Sequence, residues 1–181
     1  MAHPRQLIRD AVIARLLAGP TAAQTRVDDS RTEPHRRGGL PAISVYTEHE
    51  TVVDDSKQSR PGELLRELDV VIVAWVEHTQ ARPATRALDD LAAQIEIVMD
   101  VDPYLGGLAG GIGCWLSETE IAIEDENELR PDPLIGVIRM TYVAPYLTSP
   151  LPPALLADYL RTHAVTQLDA DHTITDDFNQ R

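Results

Sequence analysis

The stretch Leu68-Asp69-Val70-Val71-Ile72-Val73-Ala74-Trp75-Val76 constrains this chain more than any other. Its β-branched and aromatic side chains suit a pleated strand and lose rotamer freedom in a helix. The run is far short of the ~20 apolar residues that span a bilayer, so no membrane association is expected. It predicts a strand over residues 63–77 at the centre of a sheet, and the other elements must pack around it.

The neighbouring patterns supply those elements. Residues 4–18 read as a helix, with Pro4 in the first turn and Ile8, Ala11, Val12 and Leu16 at helical spacing before Gly19-Pro20. Residues 83–99 read as a second helix, with Leu88, Leu91, Ala92, Ile95, Val98 and Met99 on one stripe. Pro41-Ala42-Ile43-Ser44-Val45-Tyr46 alternates with period two and opens a strand. Further strands are expected from Trp115 to Glu124 and from Leu134 to Tyr146. In the first of these, Trp115, Ser117, Thr119, Ile121 and Ile123 would share one face, and Glu118, Glu120 and Glu124 the other.

Between these elements lie a long polar connection over 20–41, a polar loop over 51–62 and a glycine-rich run over 106–113. The run reads as a flexible exit from the second helix. The pattern gives an α+β fold, with a mostly antiparallel four-stranded sheet and helices packed on one face. Residues 1–147 form the domain. Residues 148–181 form a proline-punctuated C-terminal extension, opened by Ser149-Pro150-Leu151-Pro152-Pro153.

Charge limits the function. The net charge of -13 argues against general nucleic-acid binding, which needs a basic surface. The imbalance is uneven. Residues 1–41 hold seven arginines against four acids, so the remainder carries -16. A basic N-terminal portion on an acidic body suits complementary contacts between subunits, as well as plain solubility. The candidate interface residues are Arg26, Arg31, Arg36 and Arg37 on one side, and Glu118, Glu120, Glu124, Asp125 and Glu126 on the other.

Signs of catalysis are sparse. The single cysteine, Cys114, sits between Gly113 and Trp115 and reads as a buried, inert thiol. The six histidines form no compact zinc pattern, and His49 between Glu48 and Glu50 is split from them by strand alternation. The glycine-rich run lacks the Gly-Lys-Ser/Thr ending of a phosphate loop and leads from helix to strand, the reverse of that motif. Glu118 and Glu120 share a face, and an acid–base pair of glycosidase type can be imagined there. No aromatic platform accompanies them, and a solvated strand face explains them equally well. The clustered acids would also attract a hard divalent cation. No catalytic residue, cofactor or dedicated metal ligand is expected.

The order of motifs carries a resemblance. Leu7-Ile8-Arg9-Asp10-Ala11-Val12 lies in the first helix, then Leu40-Pro41-Ala42-Ile43-Ser44-Val45-Tyr46 opens a strand. A polar loop, the apolar strand and a helix near Pro83 follow, and Met140-Thr141-Tyr142-Val143-Ala144-Pro145-Tyr146 closes the series. This resembles the tail terminator family of long-tailed phages, the lambda-type minor tail protein U group, over residues 5–146. The resemblance implies a homo-hexameric ring on the tail tube, assembled in the host cytoplasm and carried in the virion tail. Such a ring halts tube polymerisation. Its implied partners are itself, the major tail tube protein and the head–tail connector, with genome DNA passing through unbound. A related head-completion or head–tail joining protein is the nearest alternative, and a small carboxylate-based hydrolase a more distant one.

Overall fold

A computed structural model describes residues 2–31, 39–53, 63–124 and 134–148. Two helices and five strands make an α+β fold. In chain order these are α1 (Pro4–Ala18), β1 (Val27–Asp29), β2 (Ala42–Val53), β3 (Leu64–His78), α2 (Ala81–Asp100), β4 (Trp115–Glu124) and β5 (Leu134–Thr148). The strands lie in the order β1-β2-β3-β5-β4. All pairings are antiparallel except β1 with β2, which is parallel.

The apolar run takes the predicted central place. β3 pairs with β5 from Leu64 opposite Thr148 to His78 opposite Leu134, and with β2 on its other side. Alternate residues Leu68, Val70, Ile72, Ala74 and Val76 are buried on one face with Ile138, Met140, Tyr142 and Ala144 of β5. Both helices contact this sheet and each other, so they occupy one layer. The α2 stripe of Leu88, Leu91, Ala92, Ile95, Val98 and Met99 is buried as its spacing predicts. Full burial of such a side chain stabilises the fold by roughly 1.5–3 kcal/mol. Gly136 marks a close approach of α2 to the sheet. A methyl there would lie 2.9 Å from Leu88 Cδ1 and 3.1 Å from Val76 Cγ2.

The sheet has five strands, not four. The fifth is β1, within the connection expected to be structureless. Val27, Asp28 and Asp29 pair with Ile43, Ser44 and Val45, and Val27 closes the core beneath α1. The pairing is non-local and only one of the three residues is apolar, so periodicity gives no sign of it.

The glycine-rich run is also more ordered than a flexible exit. Asp102 organises it: one carboxylate oxygen accepts the Tyr104 amide at 3.1 Å, the other the Gly106 amide at 2.8 Å and a bond from Arg15. Aspartate side chains commonly close turns this way. Gly106 has φ 68°, a conformation that favours glycine. At Gly113, φ 83° and a Cβ position only 2.9 Å from the Pro103 side chain exclude any larger residue without rearrangement. The Gly110 amide then donates to the Pro145 carbonyl at 2.7 Å, which fastens the run to β5.

Strand β4 carries a third departure. Its register with β5 shifts between Leu116 and Glu118, where Ser117 Oγ donates to the Thr141 carbonyl at 2.9 Å. A bulge of one residue reverses the facing of everything on one side of it. Trp115 opposes Val143, whereas Thr119 opposes Met140 and Ile121 opposes Ile138. Trp115 therefore faces away from the helices together with Glu118 and Glu120, and is separated from Thr119, Ile121 and Ile123.

Candidate assembly interface

Of the charged candidates that the structure describes, Glu118, Glu120 and Glu124 lie on β4, and Arg26 and Arg31 flank β1. β4 forms one edge and β1 the other. Four inter-strand gaps at about 4.8 Å each place these edges roughly 19 Å apart. That exceeds the ~8 Å Debye length at physiological ionic strength. Charges on one edge therefore do little to neutralise those on the other within a single subunit.

On the acidic edge, Glu118 and Glu120 are exposed on the face turned away from the helices. Arg139 sits across from Glu120 in register, with Nε 3.8 Å from the carboxylate. The same guanidinium hydrogen-bonds Glu48. Arg139 thus reaches from β5 over β3 to β2. The Glu48 hydrogen bond, ahead of the opposing effect of burial, raises its already high pKa, with Glu120 and Glu118 assisting. Glu124 ends β4, and Asp125 and Glu126 lie outside the described residues. Among the described residues, no strand pairs with the outer side of β4.

On the basic edge, two of the four arginines already have local roles. Arg26 Nε donates to the Pro41 carbonyl at 2.7 Å, which joins the start of β1 to the start of β2. Arg31 Nη1 donates to Asp28 at 3.0 Å, and the Arg31 carbonyl accepts the Tyr46 hydroxyl at 2.7 Å. Arg36 and Arg37 lie outside the described residues. They fall between Arg31 and Gly39, the described residues on either side.

A second polar cluster escaped the sequence reading. Glu50 accepts hydrogen bonds from Arg66 and, at 2.8 Å, from the Tyr146 hydroxyl, while Arg5 lies 3.3 Å away. It ties α1, β2, β3 and β5 together at one end of the sheet. Burial opposes ionisation of Glu50, but the bonds from Tyr146 and Arg66 outweigh it and hold the carboxyl below its ordinary range. Burial first, and then the Glu50 bond, push the Tyr146 hydroxyl up to about 12. A β-bulge between Thr47 and Glu50 turns Glu50 onto the helix side. Strict alternation hides that placement. The only signal was Arg66 and Tyr146 lying on strands otherwise dominated by apolar residues.

Little points to bond-making chemistry among the described residues. No group of three or more His, Cys, Asp or Glu is arranged to hold a metal. Burial pushes the Cys114 thiol up to about 11, which agrees with an inert role. No helix is long and apolar enough to cross a membrane.

No protein-family model matches the chain, and no curated protein matches it. Among solved structures, a chain in the virion of a native gene transfer agent (GTA) particle is similar. The two are 17% identical, the match covers 82% of this chain and 100% of that chain, and the TM-score is 0.48. At that level of likeness neither an activity nor a partner transfers.

Proposed function

We propose that this chain is a structural virion protein that closes into a homo-oligomeric ring, hexameric by its resemblance to the tail terminators. The ring caps the tail tube, stops its polymerisation and offers a surface to the head connector. The support for this reading is that the acidic strand β4 and strand β1, which Arg26 and Arg31 flank, form opposite edges of the sheet. Ring closure requires a heterologous contact, in which two different patches of each subunit meet. Two different edges of the sheet meet that requirement, and a contact between like edges does not.

The sequence adds support. The motifs that carry the resemblance fall in α1, at the start of β2 and near the end of β5, and contribute Ile8, Val12, Ile43, Val45, Met140 and Tyr142 to the core. The acid excess of the remaining chain suits a passage that DNA crosses without sticking, because like charges repel phosphate.

The test is a charge exchange. Arg36→Glu with Arg37→Glu should leave folding intact, as judged by circular dichroism, and weaken self-association. Adding Glu118→Arg and Glu124→Arg to the same chain should recover part of the loss. Wild-type assembly by the first variant would remove the basis for this seam.

A further inference from the structure

At the end of α2, the structure exposes an apolar surface that the ring reading leaves unused. Ile97 and Val101 project from the last turns of the helix, 62% and 77% exposed. Tyr104, Leu108 and Ile112 follow on the glycine-rich run, and Ile112 is 75% exposed. A shallow groove of about 280 Å³ runs beside Ile97 and Val101, between the ends of α1 and α2; Ala18, Pro20 and Val98 complete its apolar lining, and Arg15 also borders it. Five large apolar side chains within sixteen residues are thus exposed at the end of α2 and on the turn that follows, and exposed apolar surface of this kind marks contacts.

We propose that this patch is the docking site of the chain's own C-terminal segment, residues 150–160. The first argument is where the chain leaves the fold. Gly110, within the patch-bearing turn, donates to the Pro145 carbonyl. The last described residue, Thr148, is three residues further on, roughly 10 Å along the strand. The extension therefore begins roughly 10 Å from the point where the glycine-rich run is fastened to β5, a distance that a link of a few residues spans. The second argument is composition. Pro150-Leu151-Pro152-Pro153 rules out continuation of β5 as a regular paired strand. Ala154-Leu155-Leu156-Ala157-Asp158-Tyr159-Leu160 then repeats apolar residues at helical spacing with a single charge. The polar, aspartate-rich residues come only after this. The third argument is tethering. A link of a few residues gives the segment an effective concentration near the millimolar range at the patch, so modest apolar contact suffices to seat it. The docking does not depend on ring formation.

Disulfide trapping in the full-length chain tests this. With Cys114→Ser as background, Leu155→Cys is combined with Ile112→Cys, with Val101→Cys, or with Val137→Cys. Val137 lies on the opposite face of the sheet, away from the helices. Under mild oxidation, the first two pairs should cross-link within one molecule and the third should not. Removing residues 149–181 should raise binding of an apolar dye, and Ile112→Asp with Val101→Asp should abolish that rise. Cross-links between molecules would overturn the proposal in favour of a neighbouring copy. Preferred cross-linking to Val137, or none at all, would also overturn it. So would unchanged dye binding after truncation.

Discussion

Gly136→Ala should destabilise the protein, against the usual effect of replacing glycine in a strand. Adding a methyl normally restricts the unfolded chain and stabilises by roughly 0.4–1 kcal/mol. Here the new Cβ would sit 2.9 Å from Leu88 Cδ1, 3.3 Å from Leu88 Cγ and 3.1 Å from Val76 Cγ2. Carbon atoms pack comfortably at about 3.5–4.0 Å. Leu88 is fully buried and Val76 nearly so, which leaves neither side chain open space to retreat into. Overpacking of this kind costs about 1–3 kcal/mol, and with neither side chain able to retreat the upper part of that range applies, which leaves a net loss of up to about 2.6 kcal/mol. For a chain of this size that lowers Tm by up to about 10 °C. The partner variant Leu88→Ala should cost about 2–5 kcal/mol alone, by leaving a cavity. In the double variant the new methyl takes up part of that cavity, so the losses should fall short of their sum. Urea denaturation of the four proteins measures each value. A Gly136→Ala protein as stable as wild type, or strictly additive losses, would refute the close seating of α2 on β5.

Three further outcomes follow from the polar groups. Because Glu50 has a folded pKa below its ordinary 4.5, its contribution is present above that value and lost as pH falls through the folded pKa. Glu50→Gln should therefore lower stability near pH 7 and flatten the acid limb of a stability–pH curve. Equal slopes for the two proteins below pH 4.5 would contradict this. The Tyr142 hydroxyl is buried with no hydrogen-bond partner among the described residues, so Tyr142→Phe should be neutral or stabilising by up to about 1 kcal/mol in thermal denaturation. Cys114, with its thiol pushed up to about 11, should react with iodoacetamide at pH 8 far more slowly in the folded protein than in urea. Equal rates would show that the thiol is neither buried nor shifted.

The helices and the long strands were legible because each is written in a strong period. The α2 stripe and the alternation of β3 and β5 reappear as buried residues at the expected positions. What stayed hidden depends on contacts distant in sequence. β1 exists through its pairing with β2 and has Val27 as its only apolar residue. The bulge at Ser117 inverts Trp115 relative to Thr119, and alternation has no means of indicating one extra residue. The glycine-rich run looked loose because its order comes from the Asp102 carboxylate and the Pro145 carbonyl. At the interface, the acids of β4 were legible as a shared face. That Arg26 and Arg31 fasten their own loop was not, since their acceptors are set by the folded path.

The most direct test of the ring is the mass of the purified full-length chain in solution. Sedimentation velocity, run with and without magnesium and over a wide concentration range, should show a closed species of about 120 kDa, six times the 20.0 kDa subunit. That species should sharpen with concentration and stop there, because a closed ring has no free seam to extend. A 20.0 kDa monomer under every condition, or a ladder of ever larger species, would contradict a ring built from the two opposite edges of this sheet.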